Sequence, residues 1–268
     1  IMILEVKNLK VDFIKNKNIT PIIKGISFNV KENMCLGILG ESGSGKSMTC
    51  KALMGLLDRN FNIKGEVLFK GNKILSMTEE EKRQIRGKSI CMILQNPMTA
   101  FNPLYTIGNQ VVETFREHIK ISKSDAEQLA IQSFEKMNLK NPVEILKKYP
   151  HELSGGMLQR IMIALTIALE PDLIIADEPT TAIDCLNQVE VVKEFKRMRE
   201  IFNTSMIFIT HDLNVLAQLA DEIIVMDDGK IIESGSKEEI ICYPKENHTK
   251  YLINTRLKLV NKFKQVLG

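Results

Sequence analysis

None of the five cysteines (Cys35, Cys50, Cys91, Cys185 and Cys242) lies in a C-x-x-C pair, and they are scattered along the chain. A disulfide framework, a zinc site and an iron–sulfur cluster are therefore not expected, and a reduced, cytoplasmic protein is. His118, His151 and His248 lack metal-ligand spacing. Charge of one sign is scarce: 36 basic against 33 acidic residues leave a net +3. So slight an excess gives no argument for a nucleic-acid or anionic-membrane partner. No apolar run approaches membrane-spanning length. The longest, Ile161–Leu169, stops at Glu170-Pro171-Asp172. The N-terminal Ile3–Lys7 reads as a strand, not a signal peptide. There is no internal repeat and no low-complexity tract.

What remains is an ordinary globular composition over 268 residues, 44% hydrophobic and 26% charged. That suits one large α/β domain or a core with an inserted subdomain. Strands are expected at Ile3–Val6, Lys10–Ile14 and Ile26–Val30, giving an antiparallel β region. Glu66–Phe69 and Lys73–Leu75 flank Gly71-Asn72, a hairpin signal. After the strand Ser89–Leu94 the pattern turns helical. Gly108–His118, Ser124–Met137 and Pro142–Lys148 read as helices, with Ser124 and Asn141 as caps. Residues 96–149 are therefore expected to be a helical insert, with 1–95 and 150–268 as the core of a single domain. Beyond it, helices and strands alternate: helix Gly155–Leu169, strand Leu173–Ala176, helix Asn187–Ile201, strand Met206–Ile209, helix Leu213–Ala220, then strands Glu222–Met226 and Lys230–Glu233. Alternation predicts a mostly parallel sheet with right-handed crossovers. Lys250–Leu267 reads as a basic amphipathic helix with a solvated face.

Gly40-Glu41-Ser42-Gly43-Ser44-Gly45-Lys46-Ser47 is the G-x-x-x-x-G-K-[ST] phosphate-binding loop. The apolar run Met34–Leu39 precedes it and the helix-forming Met48–Leu57 follows, which is the strand–loop–helix context that the motif requires. Its glycines let successive N–H groups turn onto phosphate oxygens, and the following helix points its positive end at them. Lys46 is expected at the β/γ-phosphates and the Ser47 hydroxyl at Mg²⁺. Leu173–Ala176 runs into Asp177-Glu178, and ligands of open α/β sheets lie beyond strand carboxyl ends. Asp177 is thus expected in the Mg²⁺ shell and Glu178 on the attacking water. Ser154-Gly155-Gly156 can cap a helix and admit a second phosphate. One nucleotide does not need two such sites in one chain, whereas a two-fold pair that closes each Ser154 helix on its partner's nucleotide does.

The order Gly40–Ser47, Gln95, Leu153–Gly156, Asp177-Glu178, Asp184, His211 resembles the ATP-binding subunits of ABC transporters across nearly the whole chain. The resemblance implies ATP and Mg²⁺ as ligands. Gln95 would be a metal contact and sensor of membrane subunits, Thr181–Asp184 a turn crossing the dimer interface, and His211 a switch histidine near the γ-phosphate. Glu41, Ser42 and Met48 would belong to the nucleotide site with the rest of the loop, and Phe13 would stack on adenine. It also implies a peripheral position on the cytoplasmic face of the membrane, two transmembrane permease subunits and a solute-binding protein. A rival DNA-repair ATPase needs a long coiled coil, a ribosome-associated one carries two such domains, and a phosphate-loop kinase would lack Leu153–Gly156. Gln95–Pro103, Tyr149–Glu152, Tyr243-Pro244 and His248–Leu252 look like the peptide/nickel class of importers. Members commonly pair two different ATP-binding chains, and Met157, where the general signature has Gln, looks like one of such a pair. The lack of a cysteine cluster after Cys242 favours the nickel type over the peptide type. Phe101, Leu104, Tyr105 and Ile107 are expected as an exposed docking patch for a helix of the membrane subunit.

Overall fold

The computed structural model describes residues 1–16 and 18–255. Most of the expected basic helix Lys250–Leu267 lies outside the described residues, which are helical at 247–255. The chain forms two compact units: Ile1–Lys82 together with the chain from Ser205 onward, and Arg83–Thr204.

The first unit carries an antiparallel sheet in the order Asn18–Lys31, Met2–Lys15, Phe61–Phe69, Asn72–Lys73. The two strands expected at Ile3–Val6 and Lys10–Ile14 are one continuous strand. Asn8, at φ 48°, forms a bulge that shifts register against both neighbours, and its N–H donates to Ser27 Oγ at 2.9 Å. The hairpin at Gly71-Asn72 is present, but its second strand ends at Lys73. Ile74–Ser76 winds into a 3₁₀ turn that buries Ile74.

The same unit holds the strand Cys35–Gly40, buried along its whole length. It runs parallel to Ser205–Ile209 on one side and Glu222–Asp227 on the other, and the latter turns back antiparallel into Lys230–Ser236. A parallel strand buried on both of its faces must be apolar throughout, as Met34–Leu39 is. The Asp221 carboxylate accepts the Cys35 N–H at 2.7 Å and fixes where that strand starts. Leu39, Leu216, Ile223, Val225, Ile240 and Leu252 pack together as its core.

The second unit pairs the parallel strands Ile90–Ile93 and Leu173–Asp177, with Ile90 opposite Leu173 and Ile93 opposite Ala176. Its α-helices include Ile107–His118, Lys123–Lys136, Pro142–Lys147, Gly155–Ala168 and Cys185–Phe202. Residues 96–149 lie wholly in this unit. Two caps differ from expectation. Ser122, not Ser124, is extended and accepts the Asp125 N–H at 3.1 Å, so Ser124 falls inside the first turn. Asn141 sits in the left-handed region and makes no side-chain cap, leaving Pro142 to start its helix. The expected docking patch divides. Leu104 and Tyr105 are 78% and 55% exposed, whereas Phe101 and Ile107 are buried and serve this unit's own core. A helix at Glu79–Ile85 was not expected, because it buries no residue and so shows no apolar period. Among the described residues, no helix is long and apolar enough to cross a membrane.

Candidate functional site

In the first unit the buried strand Cys35–Gly40 delivers the chain into the glycine-rich loop, and helix Lys46–Leu53 leaves it. Gly45 caps that helix at φ 103°, a conformation that β-carbon sterics deny to most residues. Glu41, Ser42 and Gly43 are exposed, while Ser47 and Met48 are half-buried. The Lys46 side chain folds back beneath the loop. Its Nζ donates to Glu41 O at 2.6 Å, Gly40 O at 3.1 Å and Ser44 Oγ at 3.4 Å. The loop thus surrounds one buried cation that is fixed among oxygens, the electrostatic setting an incoming polyanion needs. The sequence reading missed a brace: the Gly229 N–H donates to Ser44 O at 3.1 Å, and Gly229 O accepts the Lys24 N–H at 2.8 Å.

His211 follows strand Ser205–Ile209 and the buried Thr210, and its residue is exposed. Thr210 Oγ1 accepts the Asp212 N–H at 3.1 Å, and Asp212 accepts the Asn214 N–H at 2.8 Å to cap helix Leu213–Leu219. The turn that carries the histidine is therefore pinned on both sides. Phe13 is half-buried, its ring 5.0 Å from that of Phe61 and tilted by 44°. The antiparallel sheet presents these two as an aromatic pair.

In the second unit Asp177 ends its strand and is 4% exposed. Glu178 is half-buried with φ 48°, a costly conformation outside glycine. Its Oε2 accepts Gln95 Nε2 at 3.2 Å and Thr181 Oγ1 at 3.1 Å. Gln95 and Glu178 are thus brought together. Thr181, expected only as part of the turn to Asp184, holds the same oxygen. Buried Gln159 donates to Leu94 O at 3.3 Å, immediately before Gln95. Ser154 caps helix Gly155–Ala168 through the Met157 N–H at 3.2 Å. Gly155 and Gly156 are half-buried, and a β-carbon at Gly156 would stand 2.8 Å from Ala182 O, so the 180–184 turn lies on the helix's first turn. Asp184 caps Cys185–Phe202.

Ser47 offers a hydroxyl, Asp177 a carboxylate and Gln95 a carboxamide. Each is an oxygen donor, the kind of ligand that Mg²⁺ takes in preference to nitrogen or sulfur. The buried Lys46 and the amides of Gly40–Ser47 could hold phosphates. A carboxylate fixed by two donors could orient a water.

Residues 23–181 match the model of the ABC transporter family. The chain belongs to that family. Its fold is that of an ABC ATPase, and the chain is an ATP-binding ATPase subunit serving transport. It is 43% identical over 247 residues to the metal-staphylopine import system ATP-binding protein CntD of Staphylococcus aureus, covering 92% of this chain and 91% of that one. It is 42% identical to the dipeptide transport ATP-binding protein DppD of Lactococcus lactis subsp. cremoris, covering 94% and 73%. Among solved structures it is similar to a dimeric post-hydrolysis state of the ATP-binding cassette MJ0796 bound to ADP and Pi. That match has TM-score 0.79 and 26% identity over 87% of this chain and 98% of that one. It also shares the fold of cbiO1 from Clostridium perfringens, at TM-score 0.71 and 24% identity over 98% and 99%.

Proposed function

We propose that this ABC ATPase binds MgATP and hydrolyses it at an interface with a second, related ATP-binding chain, on the cytoplasmic face of a membrane. The observation that carries the reading is the buried Lys46 ammonium, held at 2.6–3.4 Å by oxygens of the loop that surrounds it. Gly40–Ser47 and Met48 cradle the phosphates, and Phe13, beside Phe61, meets the adenine. Ser47, Asp177 and Gln95 are the residues to hold Mg²⁺, which supplies charge neutralisation at the phosphates when bound. Glu178 orients water for in-line attack on the γ-phosphorus and polarises its O–H. The bond to the β,γ-bridging oxygen breaks, and ADP leaves with that electron pair. His211 fixes the γ-phosphate, and the partner's nucleotide is closed over by Ser154, Gly155 and Gly156, with Asp184 beside them. Two permease subunits and a solute-binding protein complete the importer, and nucleic acid has no part in it.

The cargo we propose is nickel or a nickel chelate, supported by the likeness to CntD at 43% identity. Di- or oligopeptide cargo is the second reading, favoured by 42% identity to DppD and 41% to the oligopeptide transport ATP-binding protein OppD of Bacillus subtilis. Glu178→Gln tests the chemistry. It should bind ATP as wild type does while hydrolysis by the assembled transporter falls about 100-fold or more. Near-normal turnover would remove Glu178 from its role. Uptake of nickel and of dipeptide by cells lacking the chain decides the cargo: loss of peptide uptake alone overturns the nickel reading.

A further inference from the structure

Arg160 lies in the second turn of the helix that Ser154 caps, and its half-buried guanidinium grips three other places. Nε donates to Gly156 O at 3.4 Å, within the same helix. Nη1 stands 3.2 Å from both Met137 O and Asn138 O, at the end of helix Lys123–Lys136. The same nitrogen is 3.1 Å from Asn187 Oδ1. Asn187 completes the chain: Nδ2 donates to Asp184 Oδ2 at 2.6 Å and its N–H to Asp184 Oδ1 at 3.1 Å. Burial draws the Arg160 pKa down and the charge of Asp184 opposes it. Ser154 and Asp184 are both exposed, so what these bonds hold in register is a surface and not a core.

We propose that Arg160 is a positioning residue for hydrolysis: through Asn187 it locks the Asp184 turn to the Ser154 helix, so that both meet a second chain's nucleotide as one face. This rests on the trans arrangement proposed above. A planar guanidinium suits the task, because its donors leave in fixed directions toward several acceptors at once. A lysine ammonium in its place has no such fork. Without the lock the turn can drift against the helix while each element keeps its own hydrogen bonds. Hydrolysis is the property most sensitive to such drift, because misplacement by about 1 Å costs on the order of 100-fold.

The test uses the assembled transporter carrying Ser154→Arg, Arg160→Gln, Asn187→Ala, or the last two together. Calorimetry on each full chain reads ATP affinity at its own phosphate loop. Affinity and KM should stay within about twofold of wild type while kcat falls about 100-fold in Arg160→Gln and at least about tenfold in Asn187→Ala. The double variant should be no worse than Arg160→Gln, since both changes break one link. A merely structural arginine would lower the unfolding midpoint without this shared loss of kcat. If Arg160→Gln does not fold, the Asn187→Ala truncation still reads the link. Normal hydrolysis in Ser154→Arg overturns the trans arrangement. An inactive Ser154→Arg beside an Asn187→Ala that keeps kcat within about twofold overturns the lock and leaves that arrangement standing, as do losses that multiply in the double variant.

Discussion

Gly229→Ala should weaken a phosphate loop that Gly229 never touches in sequence. At φ +72°, an added β-carbon would stand 2.1 Å from Ile22 O and 3.0 Å from Ile22 C. Backbone atoms cannot rotate away as a side-chain end can, so the hairpin tip must move. The left-handed conformation itself costs alanine about 1–2 kcal/mol. Movement breaks the bonds from Gly229 N to Ser44 O and from Lys24 N to Gly229 O, about 1 kcal/mol each. The sum is about 3–4 kcal/mol. Only the Ser44 bond reaches the phosphate loop, so ATP affinity should fall about fivefold. The remaining 2–3 kcal/mol or so should lower the unfolding midpoint by roughly 5–10 °C. Calorimetric ATP titration and thermal unfolding read the two parts separately. Gly71→Ala is the control: its φ is +79° with nothing within 4 Å of the new β-carbon, so it carries conformational strain alone. A Gly229→Ala chain that loses thermal stability yet binds ATP as wild type does would refute the brace. One indistinguishable from Gly71→Ala would refute the steric reasoning.

Lys46→Ala removes a buried cation and should lower ATP affinity about 10- to 100-fold by calorimetry, the worth of a charge-assisted bond; equal affinity would exclude it from the phosphate site. Phe101→Ser should destabilise the fold by about 3–5 kcal/mol in urea unfolding, because its ring is buried. Tyr105→Ser should instead fold normally and keep basal ATPase while reducing transport per ATP, and unchanged coupling would show that the exposed ring docks nothing. Burial holds the His118 imidazole below its ordinary value of 6.5, with smaller opposing effects of Glu117 (raising) and Arg83 (lowering). The unfolded chain therefore takes up the proton first as pH falls, and stability should decline below about pH 6.5. His118→Gln should flatten that decline in urea midpoints measured at about pH 7.5 and 5.5, and a steeper decline in the variant would reverse the sign.

Elements with an apolar period were legible; those held by polar or distant partners were not. Cys35–Gly40 and Leu173–Asp177 announce themselves as apolar runs because each is buried along its whole length. The break read between Val6 and Lys10 is real as a bulge at Asn8, yet pairing on both sides carries one strand through it. Ser122 and Ser124 are equivalent as letters, and only backbone geometry chooses the cap. Helix Glu79–Ile85 rests on the Thr78 and Glu81 side chains, which bond each other and the backbone, so hydrophobicity carries no trace of it.

The candidate site divides along the same physical line. A phosphate loop must encode its own backbone shape, so its glycines, Lys46 and Ser47 are contiguous and readable. The orientation of that shape is set from elsewhere. Gly229 falls between two expected strands and in no motif, yet its N–H meets Ser44 O. Arg160 falls outside the motifs named in the sequence, yet its guanidinium meets Met137, Asn138 and Asn187. Most of these bonds end on backbone carbonyls, which almost any sequence supplies, and the one to Asn187 ends on a side-chain amide oxygen. The acceptor therefore leaves no mark, and the donor alone looks generic. Substitutions that spare every motif should accordingly weaken ATP binding at Gly229 and slow hydrolysis at Arg160 and Asn187. The exposed ion pairs, such as Lys147–Glu144 and Lys193–Glu190, sit where solvent screens them and should tolerate change.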